Sequence, residues 1–374
     1  MIGGGERLTS KLVCQRHEWV KAPEAAAALC RCPAHGLPPR GADLVYRYKA
    51  QMTRWIIGRL SLVAVAVSVA GWAATPAVAA WRLTGTHVSS IAYNQGISFD
   101  QAQGSFFFDG VSSTTNSGLY RTTGKLSLRA ARLAVIPHTV EGYNHVGDLS
   151  FDPGAQPLSS GQSAGSPRLL LPLECYYPDH GGNTCGTGAI GVADPVSLRF
   201  RYYVNLDRSQ IQKAMWDELS PDRRWIWTSS GTHLLAYNAS SVNAATAAGQ
   251  RAGVAGGIVG KDLGAVLPSS GVTGAAFYVD PHSHASRLLL SLNLGSYFQV
   301  VSYETGTAPD GSPRLLNATA NSEITIKKSL SNAEPEGLAV TGIFHGSYPL
   351  GGVLHWQMLP AIPLYSRILN YTPN

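Results

Sequence analysis

Charge is scarce in this chain: 14% of its 374 residues are Asp, Glu, Lys or Arg, against 44% hydrophobic. A composition so poor in charge excludes a disordered tail or a coiled coil and indicates a chain that builds a core. Long helices are disfavoured too, because 40 Gly and 22 Pro, with 16 Tyr and 8 Trp, mark short strands joined by turns. An excess of one sign of charge is also missing where it would matter. The formal net charge of +6 arises wholly before residue 60, and the remainder holds equal numbers of basic and acidic residues. A neutral body has no broad surface for tracking phosphates, so nucleic acid is excluded as a partner.

Cysteine is nearly absent beyond residue 80, where only Cys175 and Cys185 of the five remain. An isolated even pair flanking Tyr176-Tyr177-Pro178-Asp179-His180-Gly181-Gly182-Asn183-Thr184 reads as a disulfide stapling one loop in an oxidising compartment. The one long apolar run, Leu60 to Ala80, carries no charge, follows Arg54 and Arg59, and ends in Pro76 and Ala77-Val78-Ala79. This is the outline of a secretory signal over 52–80, cleaved after Ala79 or Ala80, with an uncleaved membrane anchor over 60–80 as the alternative. Residues 1–51 then read as a non-structural extension ahead of the start-like Met52-Thr53-Arg54, leaving 81–374 as an exported, monomeric working domain.

What is present in that domain is repetition. Five segments share a small residue, alternating apolar positions and an Asp or Pro turn: Gly96 to Asp100, Asp148 to Pro153, Trp216 to Asp222, Ala275 to Pro281 and Glu336 to Val340. Each is followed by a second apolar strand, at Phe106 to Phe108, Arg168 to Leu171, Trp225 to Thr228, Arg287 to Leu290 and Val353 to Trp356. Third and fourth strands follow, as at Gly118 to Arg121, Leu198 to Val204, Leu234 to Tyr237 and Phe298 to Tyr303. Four antiparallel strands per unit, repeated radially, predict an all-β propeller of five blades, with six as the alternative. Trp81 to Val88 stands alone at the start, and pairing it with the last strand near Leu364 to Tyr371 would close the ring.

Glu334-Pro335-Glu336-Gly337-Leu338-Ala339-Val340 resembles the Glu-x-Glu-Gly-Leu inner strand of secreted phytase-like esterase propellers and, more loosely, the gluconolactonase group. That resemblance implies clustered carboxylates holding calcium or another divalent ion, of which Glu334 and Glu336 match.

Inner strands converge on a propeller's central channel, so the residues that open the repeats are the site candidates. The alignment places His145, Asp148, Glu334 and Glu336 there as metal ligands, with Gln95, Lys213 and Trp216 as ligand contacts. Oxygen donors suit calcium, and His145 a softer divalent ion; hydrogen bonding to channel waters is the structural alternative. Tyr176 and Tyr177 add ligand contacts on the stapled loop. Two motif matches are chance ones: Gly161-Gln162-Ser163-Ala164-Gly165 lies in a Ser- and Gly-rich loop without the flanks of a nucleophile elbow, and Gly186 to Gly191 lacks a parallel strand-helix unit. His282-Ser283-His284 reads as a solvated hairpin turn. With no complete catalytic constellation, the expectation is a propeller that binds a small molecule or partner protein at its channel face. The alternative is a metal-assisted hydrolase of phosphate esters or lactones.

Overall fold

The computed structural model describes residues 81–374 except 112–115, 138, 141, 155–164, 176–184, 270, 329–332 and 361–364. Both the leader and the loop tyrosines Tyr176 and Tyr177 lie outside the described residues. In the described part no helix is long and apolar enough to cross a membrane.

The strands group into five antiparallel sheets. Blade 1 is β2 (Ile97–Asp100), β3 (Ser105–Val111), β4 (Ser117–Thr123) and β5 (Leu128–Arg132). Blade 2 has an interrupted inner strand, β6 (His145–Val146) and β7 (Ser150–Asp152), followed by β8 (Arg168–Glu174), β9 (Ala189–Ala193) and β10 (Phe200–Asn205). Blade 3 is β11 (Glu218–Leu219), β12 (Trp225–Ser230), β13 (His233–Asn238) and β14 (Lys261–Ala265), with the one described α-helix, α1 (Ala244–Arg251), before its last strand. Blade 4 is β15 (Val272–Val279), β16 (Ser286–Leu294) and β17 (Tyr297–Thr307), edged by β18 (Pro313–Leu315) and β19 (Asn321–Lys327). Blade 5 is β20 (Glu334–Val340), β21 (Leu354–Leu359) and β22 (Ser366–Pro373), completed by the first strand of the domain, β1 (Trp81–Ser89).

The fold is therefore a five-bladed propeller, and the five inner strands are the five repeats seen in the sequence. The chain closes its own ring, because β1 pairs antiparallel with β22 from Trp81↔Pro373 to Ser89↔Ser366. In blade 2 the sequence missed a strand: β9 lies between β8 and β10, so Leu198 to Val204 leads into the fourth strand and not the third. β9 begins at Ala189, inside the Gly186 to Gly191 match, and is antiparallel to both neighbours, so no dinucleotide-binding unit exists there.

Alternation explains why the second strands are continuous apolar runs. On β3, Phe106 and Phe108 pack toward blade 5 while Phe107 packs toward blade 2. On β16, Leu288 and Leu290 face blade 3 and Leu289 faces blade 5. A strand whose two faces are both covered has no solvent side, so every position turns apolar. The buried hydrophobic residues accordingly fall into five clusters, one at each blade interface, and the cluster joining Ile97 and Phe106 to Ala339 and Ile368 seals blade 1 against blade 5.

The hairpin turns are set by aspartates. Asp280 Oδ1 accepts the backbone N–H groups of His282 and Ser283 at 2.8 and 2.9 Å, which makes His282-Ser283-His284 the expected exposed turn. Asp100 holds Ala102 and Gln103 in the same way. A short side chain that accepts from its own downstream backbone fixes a tight turn without cost to the strands on either side.

Candidate functional site: an axial carboxyl cluster divided by Asp148

Five inner strands cannot converge on one axis unless their closest positions are small. A Cβ added to Gly274 would meet Asp148 Oδ2 at 2.6 Å, and one added to Gly337 would collide with Asp148 Oδ1. The space these glycines leave is filled by the Asp148 carboxyl group, which is 1% exposed. Its Oδ1 accepts from the Ile97 N–H at 3.0 Å, and its Oδ2 accepts from the Ala275 and Leu338 N–H groups at 2.9 and 3.1 Å. Its own backbone N–H donates to the Met215 carbonyl and its carbonyl accepts from the Asp217 N–H, both at 3.0 Å. One residue of blade 2 thus ties blades 1, 3, 4 and 5 together. It divides the channel into a start face, where inner strands begin, and an exit face, where they end.

On the start face a second group of acids meets an imidazole. His145 Nδ1 lies 2.5 Å from Glu174 Oε1, with about a tenth of each side chain exposed. The pairing follows from register, since His145 on β6 is directly opposite Glu174 on β8. Glu336 stands on β20, the inner strand of blade 5. Burial pushes its carboxyl well above the usual range, helped by the charges of Glu334, Asp109, Asp148 and Glu174. Asp109 on β3 is raised by burial and by Asp148; its Oδ1 accepts from the Gly96 N–H at 2.6 Å, while its buried Oδ2 has no hydrogen-bond partner among the described residues. Beside Glu174 the Cys175–Cys185 disulfide is present, with Cα atoms 5.4 Å apart. Tyr143 clamps the base of that loop, donating to the Thr187 carbonyl at 2.9 Å.

On the exit face Asp217 Oδ1 accepts from Ser150 Oγ at 2.5 Å, while its buried Oδ2 has no hydrogen-bond partner among the described residues. Burial raises its carboxyl to about 7. Glu218, the next residue, has Oε1 3.2 Å from the Phe277 N–H and is raised by burial and then by Asp148 and Asp217.

The expected site residues separate accordingly. His145 and Glu336 converge on the start face with Asp148 beneath them, and Glu334 lies at the exposed beginning of β20. Gln95 is half-buried on the axis and contributes its backbone, donating to the Asp109 carbonyl and accepting from the Gly337 N–H. Lys213 is half-buried, three residues before Trp216. Trp216 is fully buried in the core between blades 3 and 4, its indole N–H donating to Ser229 Oγ at 2.7 Å. As for a metal, Asp148 spends both oxygens on backbone N–H groups and His145 Nδ1 is taken by Glu174. Among the described residues no three of His, Cys, Asp and Glu are grouped to hold an ion.

Sequence reasoning missed Asp109, Glu174, Asp217 and Glu218. Asp217 and Glu218 were within a recognised repeat and would follow from asking which residues flank Trp216. Asp109 and Glu174 sit at the far ends of second strands, and only the antiparallel register brings those ends back to the axis.

No family model matches this chain, and no curated protein matches it. Solved structures are similar at low levels. An exo-1,5-α-L-arabinanase from a bovine ruminal metagenomic library is 10% identical with a TM-score of 0.43, covering 76% of this chain and 94% of its own. Glutaminyl cyclase of Myxococcus xanthus is 12% identical with a TM-score of 0.38, covering 78% and 95%. A GH43 glycoside hydrolase engineered for endo-xylanase and exo-arabinofuranosidase activity is 10% identical with a TM-score of 0.44, and the chain spans 52% of that protein's length. Likeness at this level transfers no residue role, and the five sheets and their order carry the assignment of this chain as a β-propeller.

Proposed function

We propose that the chain is an exported propeller that binds a small uncharged or cationic molecule on its start face. His145, Glu174 and Glu336 would be its polar contacts, with Gln95, Lys213, Tyr176 and Tyr177 around them. The observation that supports this is the His145 and Glu174 pair, about a tenth exposed at the axis. The surrounding acids repel a phosphate dianion, so a phosphate ester would need a divalent ion such as calcium to bridge it. A second reading is hydrolysis of a neutral substrate such as a lactone. Burial keeps Glu336 protonated as a proton donor, and the His145 and Glu174 pair could take a proton from water.

Thermal-shift measurements with neutral, cationic and phosphorylated metabolite panels, each with calcium and with chelator, test the reading. A neutral or cationic hit should stabilise the protein by about 2.7 kcal/mol at a hundredfold excess over Kd, and Glu336→Gln should abolish the shift. Stabilisation by phosphorylated compounds only with calcium would replace it with the metal-assisted reading. The absence of any hit would overturn both, and turnover of a hit selects the hydrolase.

A further inference from the structure

Beyond Asp148 the exit face opens into a cavity of about 230 Å³ to which all five blades contribute. Its walls include Phe99, Phe151 and Phe277, Glu218 lines it, and Arg223 is also on its lining. Outside it, each ring has an aromatic neighbour that fixes its position: Phe99 against Phe106 at 4.7 Å, Phe151 against Phe107 at 5.3 Å, Phe277 against Trp227 at 5.5 Å. Glu218 commits Oε1 to the Phe277 N–H, and its Oε2 has no partner among the described residues. Arg223 is held by Asp152, whose single carboxylate it shares with Arg168: Arg223 Nε and Nη2 donate to Oδ1 at 3.1 and 2.7 Å, and Arg168 Nε donates to Oδ2 at 2.9 Å. The turn that carries it is rigid, with φ of 60° at Arg223 and the Arg223 N–H bound to the Ser220 carbonyl at 2.7 Å.

We propose that this cavity is a second binding site, for a small alkylammonium ligand whose charged nitrogen pairs with Glu218 and whose alkyl part lies among Phe99, Phe151 and Phe277. Ring faces attract cations when water is excluded, and a carboxylate at a closed end is the one acidic partner such a cation requires. At about 30 Å³ per heavy atom the cavity holds roughly seven or eight atoms, which sets the size of the ligand. The charged groups around Glu218 are Asp148 and Asp217 on the axis, and Asp152 with its two arginines on the lining side. Burial, and after it the axial acids, raise the Glu218 carboxyl well above the usual range, which favours a proton there in the empty site. An arriving ammonium group replaces that proton, which leaves to solvent.

Calorimetry on the full chain at pH 8, with n-butylammonium and its neutral counterpart n-butanol as probes, tests this. Saturable butylammonium binding is expected, at least tenfold tighter than butanol, with a heat that changes between buffers of different ionisation enthalpy. Glu218→Gln should weaken butylammonium at least tenfold and leave butanol unchanged. Should Glu218→Gln fail to fold, Phe277→Leu carries the test and should weaken the ammonium probe more than the alcohol. Equal binding of the two probes, a buffer-independent heat, or no saturation of butylammonium would overturn the proposal.

Discussion

A carboxyl group without solvent normally needs a counter-charge; Asp148 has three backbone N–H groups in place of one. Those bonds compensate part of its desolvation, and they are available only because five strands end their approach at one point. Asp217, whose backbone N–H donates to the Asp148 carbonyl, is less well served and remains protonated up to about pH 7. Because its folded pKa is raised above the ordinary 3.8, the folded state holds the extra proton between pH 4 and 7, and stability falls as pH rises through that window. His355 acts in the opposite direction, since burial lowers it to about 4 and stability therefore rises with pH between about 4 and 6.5. The comparison of wild type with Asp217→Asn cancels that contribution. Unfolding midpoints between pH 5 and pH 8 should show wild type losing a few kcal/mol more than the variant, as a shift of this size implies. Equal pH profiles would show that the Asp217 proton is not linked to folding.

At the scale of elements, the inner strands are short because they serve the axis and not a broad sheet face. β11 has two residues, and blade 2 splits into β6 and β7 where Gly147 and Asp148 turn aside to meet the Met215 carbonyl. A strand of this length carries no periodicity of its own. It was recognisable in the sequence only through recurrence, five times, of one outline: a small residue, alternating apolar positions and an Asp or Pro turn. The site was less legible, because Glu174 and Asp109 carry no local signal and acquire a role only from the register of β8 and β3. The loop after β8 is closed by Cys175–Cys185, ten residues apart. Replacing both cysteines by serine should cost about 3 kcal/mol on the chain-entropy model, read as a lowered denaturant midpoint at unchanged slope. A midpoint equal to wild type would mean that the bridge serves the loop alone.

The whole molecule depends on a closure that spans the chain from end to end. β1 supplies the outer strand of blade 5, and Trp81 anchors it on blade 4 by an edge contact with Tyr278 at 5.1 Å and a hydrogen bond from its indole to Glu323 Oε2 at 3.1 Å. Removing residues 81–89 would expose β22 as an edge and remove the Trp81 contacts to blade 4, so the shortened protein should unfold at markedly lower temperature and associate through that edge. Light scattering and thermal melting check it, and a monomer with wild-type stability would show that the ring holds without the strand. The five clusters at blade interfaces make the same point energetically, since each buried leucine contributes about 2 kcal/mol only while the neighbouring blade is in place.

The sequence by itself determined the class, the number of repeats and the closing strand, because burial on both faces, turn aspartates and crowding at an axis each leave a mark at fixed places along the chain. It also determined the disulfide, from two cysteines with no other partner beyond residue 80. Only the tertiary structure decided what the axial residues do. Asp148 looked like a metal ligand until three N–H groups from other blades claimed its oxygens. Trp216 looked like a ligand contact until its neighbours placed it in the core. Glu174 was invisible until an antiparallel partner set it against His145. The physical reason is that local sequence sets the conformation of a strand, whereas the partner of a side chain at the axis belongs to a different blade, tens to hundreds of residues away.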